Sequence, residues 1–153
     1  MAINIPSTIL TRPKTKSRIR ALVKRKTAKQ QIKKLEKELD ALWGKAVHRR
    51  WGEKCAWPGC SHVGGILHAH HWMHKSAGKK ARWKIENSIL LCFFHHIRSV
   101  HQMGNTEPIR DVLIERLGLG GFERLRDECA GVWKPTLDQL LELKVQLARH
   151  GEE

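Results

Sequence analysis

Residues 68–76 read HAHHWMHKS and residues 86–96 read ENSILLCFFHH. The first stretch is mostly apolar or imidazole-bearing and predicts a strand over residues 66–73. The second stretch predicts an extended segment over residues 85–92, followed by a short helix that we expect to end at about residue 103. A basic loop, residues 75–84, joins the two segments. Two strands and a helix are therefore the expected centre of the fold.

Two pairs of soft metal ligands frame this centre. Cys55-x4-Cys60 precedes the first predicted strand, and Cys92-x2-His95 ends the second. Pairs of this kind, each on a short turn, converge on one tetrahedral Zn²⁺ held by three thiolates and one imidazole. Because such a shell has no open position, we expect a structural zinc rather than a catalytic one. Cys129 lies apart, in a predicted helix, and is expected in the core.

Histidines are concentrated in the same window. Eight of the ten lie in residues 62–101. Adjacent residues of a strand point to opposite faces, so His70 and His71 are expected to have different functions. His96 directly follows the zinc ligand His95 and can face the strand while His95 faces the zinc. This arrangement suits a second metal with few protein ligands and open positions for water and a phosphate.

Charge is distributed unevenly along the chain. With 29 Lys and Arg against 15 Asp and Glu, the 153 residues carry a formal charge of +14. Residues 12–54 carry a net +12 and residues 75–84 a net +5, whereas residues 107–153 carry a net −3. Polyanions are the natural partners of such a chain. No apolar run approaches the ~20 residues that span a bilayer, and no secretory apolar segment follows the N-terminus, so neither membrane insertion nor secretion is expected.

A long basic helix is predicted before the centre. Apolar residues recur at steps of three and four through Ile32, Leu35, Leu39 and Leu42, within a proline-free stretch of residues 16–50. This stripe either docks on its own domain or joins two copies of the chain in a homodimer.

Three further helices are predicted after the expected centre of the fold. Thr106 and Gly118 bound the first, the second spans residues 122–130, and a capping box of Thr136 and Gln139 opens the third. In the third helix we expect one side to be lined by Leu137, Leu140, Leu141 and Leu147. The predicted order is thus an irregular basic arm (1–15), the long helix (16–50), a zinc-stabilised core (51–105) and a helical C-terminal region (106–153).

Taken together, the quoted stretches and their framing cysteines resemble an HNH endonuclease, which has the ββα-metal nuclease fold. His71, Asn87 and His96 match the three residues that give the family its name. The phage Rap/NinG recombination nucleases, which the chain resembles more particularly, usually have Gly where His70 stands and a Cys where His95 stands.

A more particular similarity extends from residue 55 to the C-terminus. The order of Arg82, Gly104-Asn105, the helix RDVLIERLG (residues 110–118) and the closing segment WKPTLDQL (residues 133–140) resembles the phage Rap/NinG recombination nucleases. These proteins often have Asn where His96 stands, so the chain is nearer to the general HNH pattern at this position.

The resemblance implies an α+β fold, mainly helical, around a small zinc-stabilised ββα-metal core. It also implies hydrolysis of a phosphodiester with one divalent metal, Mg²⁺ or Mn²⁺ or another divalent ion. His71 would accept a proton from water, and Asn87 would orient the His71 ring through its amide oxygen. His70 and His96 would carry the metal. His101 is a candidate third ligand, and His68 is the alternative to His70.

Basic residues are expected to bind DNA phosphates without reading sequence. Around the core these are Lys75, Lys79, Lys80, Arg82, Lys84 and Arg98, and on the long helix they are Arg18, Arg20, Lys24, Arg25 and Lys26. Four tryptophans near the core either form part of it or stack on unpaired bases, namely Trp51, Trp57, Trp72 and Trp83.

The recombination-nuclease resemblance implies branched DNA, such as D-loops or Holliday junctions, as the substrate. Two alternatives stand beside it. One is an HNH nuclease that nicks or cuts linear duplex, as homing, restriction or packaging-associated members do, and the other is a zinc-stabilised DNA-binding module without catalysis. The expected compartment is the cytoplasm, that of the host cell if a phage encodes the chain.

Overall fold

The computed structural model describes the backbone of residues 16–74 and 79–150 and the side chains of residues 27–74 and 80–150. The predicted arm, residues 1–15, lies outside the described residues. So do several of the predicted DNA contacts, either as whole residues or as side chains: Lys75, Lys79, Arg18, Arg20, Lys24, Arg25 and Lys26.

Helices dominate the described residues, and a small antiparallel hairpin lies between them. In chain order the elements are α1 (Lys16–Trp51), β1 (Leu67–His71), β2 (Ser88–Cys92), a π-helix (Phe94–Gln102), α2 (Glu107–Leu117), α3 (Leu119–Cys129) and α4 (Leu137–Arg149). A single 3₁₀ turn, Lys79–Ala81, lies in the loop between the strands. The expectation of an α+β, mainly helical fold is confirmed at this level.

The hairpin is the inner layer of the molecule. Leu67 pairs with Cys92 and His71 pairs with Ser88, so β1 and β2 are in register over five residues each. Every residue of β2 is buried, because α1 packs on the hairpin and covers it. Burial on both faces explains why the sequence of β2 is a mostly continuous apolar run and does not alternate between apolar and polar residues.

The apolar stripe of α1 packs within its own chain. Leu35, Leu39, Trp43 and Val47 recur every four residues, are almost fully buried and belong to one core cluster with β2. The same helix pairs with α4 through the Lys144 Nζ–Glu38 Oε2 contact of 2.7 Å. Of the two alternatives for the stripe, the structure therefore shows docking on its own domain, and any homodimer would have to use another surface.

Local sequence signals located the C-terminal helices well, but they did not fully predict which side of each helix is buried. The capping box that opens α4 is present in both directions, with Gln139 N donating to Thr136 Oγ1 and Thr136 N donating to Gln139 Oε1. Gly118 ends α2 with φ at 72°, and α3 begins directly after it, three residues earlier than expected. Of the leucines expected along one side of α4, Leu140 and Leu147 are buried, whereas Leu141 is 47% exposed.

No helix among residues 16–74 and 79–150 is long and apolar enough to cross a membrane.

The packing of α1 on the hairpin gives a first prediction. Leu39→Ala should lower the free energy of unfolding by about 2–5 kcal/mol, because it opens a cavity in a fully buried site. Chemical denaturation of the metal-loaded protein measures this loss. The matched control is Leu141→Ala, the same change at a half-exposed leucine, which should stay within about 0.5 kcal/mol of the parent. Equal losses for the two variants would contradict the packing described here.

Candidate metal centres

Three cysteines and one histidine converge beside the end of the hairpin. One ligand atom from each of Cys55, Cys60, Cys92 and His95 lies within 4.8 Å of all the others. His95 Nδ1 is 3.2 Å from Cys92 Sγ and 3.6 Å from Cys55 Sγ. A tetrahedral zinc ion places sulfur and nitrogen ligands about 3.5 Å apart, given its usual bond lengths. This Cys3His cluster therefore suits a structural metal such as zinc.

Local backbone geometry brings the first cysteine pair to the hairpin. Pro58 and Gly59 form a turn closed by the Cys60 N–Trp57 O hydrogen bond of 3.0 Å. Ala56 N donates to Leu90 O at 2.8 Å and ties this cysteine-bearing turn, residues 55–60, directly to β2. The turn is thus attached to the sheet by its backbone as well as by its thiols.

Burial makes this cluster depend on a cation. Without a metal, burial raises the pKa of the Cys55 thiol to about 11. Burial also lowers the pKa of His95, which keeps its imidazole neutral and able to donate a lone pair. The indole of Trp57 stacks on the His95 ring at 4.7 Å and fixes its plane. Cys129 is buried in a separate small cluster with Leu125, as expected for a core cysteine.

A second group of ligands lies across the hairpin from α1. One ring nitrogen from each of His70, His96 and His101 lies within 4.8 Å of the others, and His96 Nε2 is 3.2 Å from His101 Nε2. Two nitrogens bound to one metal ion at about 2.1 Å are about 3.0 Å apart in octahedral geometry and about 3.4 Å apart in tetrahedral geometry. The spacing of His96 and His101 fits between these limits.

The π-helix explains why His96 and His101 meet. Residues five apart point about 140° away from each other around an α-helix of 3.6 residues per turn. The i→i+5 hydrogen bonds of a π-helix, such as Met103 N to Arg98 O at 3.0 Å, widen each turn to about 4.4 residues and reduce that angle to about 50°. The sequence predicted a helix here, but its period could not be read from the residue pattern.

Two histidines of the cluster are kept neutral by their surroundings. Burial, reinforced by the neighbouring histidines, lowers the pKa of His70 to about 3, and burial lowers the pKa of His96 to about 4. Neutral imidazoles expose lone pairs rather than protons to a cation. The rings leave buried nitrogens without a hydrogen-bond partner, His96 Nδ1 and the Nε2 of neighbouring His68, which stacks on His96 at 4.9 Å.

His71 is held differently from His70, as strand alternation predicted. Its Nε2 lies 2.7 Å from the Arg82 carbonyl oxygen, and its ring stacks on Trp43 of α1 at 3.9 Å with only 4° between the planes. Because a carbonyl only accepts, Nε2 must carry the proton, and in the neutral ring Nδ1 then carries the lone pair. His71 lines a cleft of about 150 Å³ together with the histidine cluster, Ala69 and His74.

Asn87 does not have the contact predicted for it. Its amide oxygen accepts from Met73 N at 2.8 Å, and its amide nitrogen donates to Met73 O and Ala81 O. The fully buried side chain thereby ties together the two ends of the loop between the strands. The prediction that the Asn87 oxygen orients His71 is wrong, because the Arg82 carbonyl takes that position.

Arg82 is likewise a structural residue rather than an open phosphate contact. Its guanidinium makes two hydrogen bonds to Asp40, at 2.9 Å and 2.6 Å, and lies 3.4 Å from Glu36. The Asp40 bonds raise the pKa of the guanidinium above its usual value. The side chain is only 18% exposed, so the prediction that Arg82 binds DNA is corrected. The interaction instead holds the Arg82 carbonyl against His71.

Sequence reasoning missed Asp40 and Trp43. Trp43 continues the apolar stripe of α1 and was identifiable as a core residue, but its stacking on His71 depends on the crossing of helix and hairpin. Asp40 accepts from Arg82 and also from Trp83 Nε1 at 2.9 Å. Nothing in the local pattern distinguishes it from an ordinary surface carboxylate.

The other residues predicted to contact DNA differ in their exposure and in their partners within the chain. Lys80 and Arg98 are exposed. Lys84 pairs with Glu128 at 2.6 Å on the rim of a cleft of about 500 Å³ between the basic loop and α4. The four tryptophans have intramolecular partners, since Trp83 is buried and the others contact His95, Phe122 or Arg116. They are part of the folded module.

Comparisons of the chain with protein-family models, curated proteins and solved structures find no match.

The Asp40–Arg82 contact gives a second prediction. Asp40→Ala should cost about 1–2 kcal/mol of folding free energy, because the largely buried Arg82 guanidinium and the Trp83 indole lose their acceptor, while the 42% exposure of Asp40 screens part of the effect. Denaturation of the metal-loaded protein measures it. Glu128→Ala, which removes the exposed partner of Lys84, is the matched control and should cost clearly less. If both changes cost the same, Arg82 has no special structural role.

Proposed function

We propose that the chain is a metal-dependent HNH-type endonuclease that hydrolyses phosphodiester bonds in DNA. The observation that carries this proposal is the cleft in which His71, with its proton fixed on Nε2, lies beside the imidazoles of His70, His96 and His101. A non-catalytic zinc module needs neither a histidine of fixed tautomer nor a second set of ligands beside it.

His71 is the proposed general base. With Nε2–H held by the Arg82 carbonyl, Nδ1 accepts the proton of the attacking water. Trp43 and the Arg82 carbonyl fix the ring plane, so the acceptor does not need to be oriented when the substrate arrives. A hydrogen-bonded partner on the far ring nitrogen is the usual device for setting a histidine's tautomer.

His70, His96 and His101 would hold the divalent ion. One ring nitrogen from each lies within 4.8 Å of the others, which fits such an ion. When bound, the ion would neutralise charge on the scissile phosphate and on the leaving oxygen. Mg²⁺ or Mn²⁺, or another divalent ion, remains the proposed catalytic cofactor.

The charge around the cleft suits an anionic substrate. No Asp or Glu occurs between Glu53 and Glu86, or between Glu86 and Glu107. Glu86, in the loop, is therefore the one acidic residue in the stretch that contains the hairpin, its loop and the π-helix, and few negative side chains are present there to repel a phosphate. The nearby exposed cations Lys80 and Arg98 add attraction.

The proposed core is the ββα-metal arrangement, with β1, β2 and the π-helix as its three elements and the Cys3His cluster as its support. For the substrate we propose branched recombination intermediates, on the strength of the resemblance to the Rap/NinG nucleases. The alternative is cleavage of linear duplex, and a junction and a linear duplex of matched sequence separate the two.

His71→Ala tests the function directly. The variant should lose at least a hundredfold in cleavage rate, since a positioned general base contributes about 10²–10⁴. The measurement is cleavage of a labelled four-way junction and its linear counterpart, with Mg²⁺, Mn²⁺, Ni²⁺ or Zn²⁺ supplied in turn. DNA binding and bound zinc should be unchanged.

The matched control is His62→Ala, the same change at an exposed histidine in the loop before β1, which should cleave at the parental rate. Full cleavage by His71→Ala would refute the assignment of the base. Absence of cleavage by the parent protein with every metal and substrate would refute the proposed function and leave a binding module.

A further inference from the structure

An exposed apolar patch borders the histidine cluster. Its members are Val63 and Ile66, which precede β1, and Phe93 and Phe94, which follow β2. Their side chains are 66%, 75%, 62% and 57% exposed respectively. Four large apolar side chains at one end of a hairpin are more than the scattered exposure that any soluble surface shows.

The strand register places two members of this patch, Ile66 and Phe93, on the face of the hairpin that carries the histidine cluster. His68 and His70 lie on one face of β1, and Ile66 continues their alternation beyond the strand. Opposite them, Leu91 and Ile89 share that face, and Phe93 continues it. The ring contact between His68 and Phe93, with centroids 6.1 Å apart, supports this placement.

The distance between the patch and the histidine cluster is short on the scale of DNA. The His68 ring lies 6.1 Å from Phe93 and 4.9 Å from His96, so Phe93 is at most about 11 Å from His96. One nucleotide advances about 3.4 Å along a DNA strand. A base in contact with Phe93 is therefore within about three nucleotides of a phosphate at the cluster.

We propose that Phe93, Phe94 and Ile66 form a wedge that stacks on the unstacked bases at a DNA branch point. The inference rests on the proposed nuclease function and adds to it the feature that selects the substrate. Ordinary duplex hides the faces of its bases, whereas a branch point leaves some accessible to an aromatic ring. Stacking of a base on an aromatic side chain contributes about 1–3 kcal/mol, and apolar wedges are a known means of opening base steps.

Charge favours DNA over another apolar surface as the occupant. The segments that carry the patch have no acidic residue. Arg98 is exposed and lies about one π-helical turn after Phe94, hence on the same side of the helix. A patch flanked by a cation and continuous with a phosphate-cleaving cleft matches a base next to its backbone phosphate.

The test compares the junction-to-linear ratio of cleavage rates for the parent, Phe93→Ala and Ile66→Ser. The ratio should fall at least tenfold in both variants. The parent should cut within about three nucleotides of the branch point. Val132→Ala is the matched control, because Val132 is 80% exposed but lies between α3 and α4, and its ratio should equal that of the parent. Ile66 is not adjacent in sequence to a Cys3His ligand, so its variant stays informative if Phe93→Ala loses zinc.

A separate measurement keeps this inference distinct from the nuclease proposal. A fluorescent adenine analogue at the branch point should change its emission when the parent binds in the presence of a chelator of the catalytic ion, and less so with Ile66→Ser.

If the parent cuts DNA but the variants keep the parental ratio and emission change, the wedge is refuted. A variant that only converts a dimer to a monomer refutes it too, since the patch would then join two copies. If the parent cuts nothing but the emission changes as expected, the nuclease proposal fails and the base contact stands.

Discussion

The rest of the site depends on the convergence of Cys55, Cys60, Cys92 and His95 on one point. These residues come from a loop, from the end of β2 and from the first turn of the π-helix. A structural zinc at such a site contributes about 10–16 kcal/mol of apparent binding energy. Since a small hairpin is marginally stable alone, this cluster determines where the π-helix begins. His96, one residue after His95, is placed by the same constraint.

A second constraint comes from the opposite side of the hairpin. Helix α1 supplies Trp43 as a flat support for His71 and Asp40 as the acceptor for Arg82. The carbonyl of Arg82 then fixes the proton of His71. A helix that looks from its composition like a basic DNA-binding element is thus, over its described side chains, a structural brace for the proposed base. Its basic N-terminal part lies beyond the described side chains.

Metal ligands were more predictable from the sequence than the contacts that orient them. The Cys3His cluster follows from short-range spacing, because each pair of ligands lies on its own turn. Both His96 and His101 were predicted as candidate ligands, but their close approach was not predictable, since an α-helical period would have separated them. The partners of Asn87 and Arg82 could not be foreseen, because they depend on how a loop folds back on a strand and on which carboxylate of α1 faces it. A side chain that can form several different hydrogen bonds takes its partner from the tertiary fold, and the local sequence pattern does not encode that partner.

We propose that the adjacent histidines His95 and His96 serve two different metal sites, one closed and sulfur-rich and one built of imidazoles. Titration of the metal-free protein with Co²⁺, followed by absorption spectroscopy, tests it most directly. We predict two ions per chain, the first giving intense thiolate-to-cobalt absorption and the second only weak bands of nitrogen and oxygen ligation. His96→Ala should remove the second and keep the first. A single ion per chain, or loss of the thiolate absorption in His96→Ala, would contradict the account.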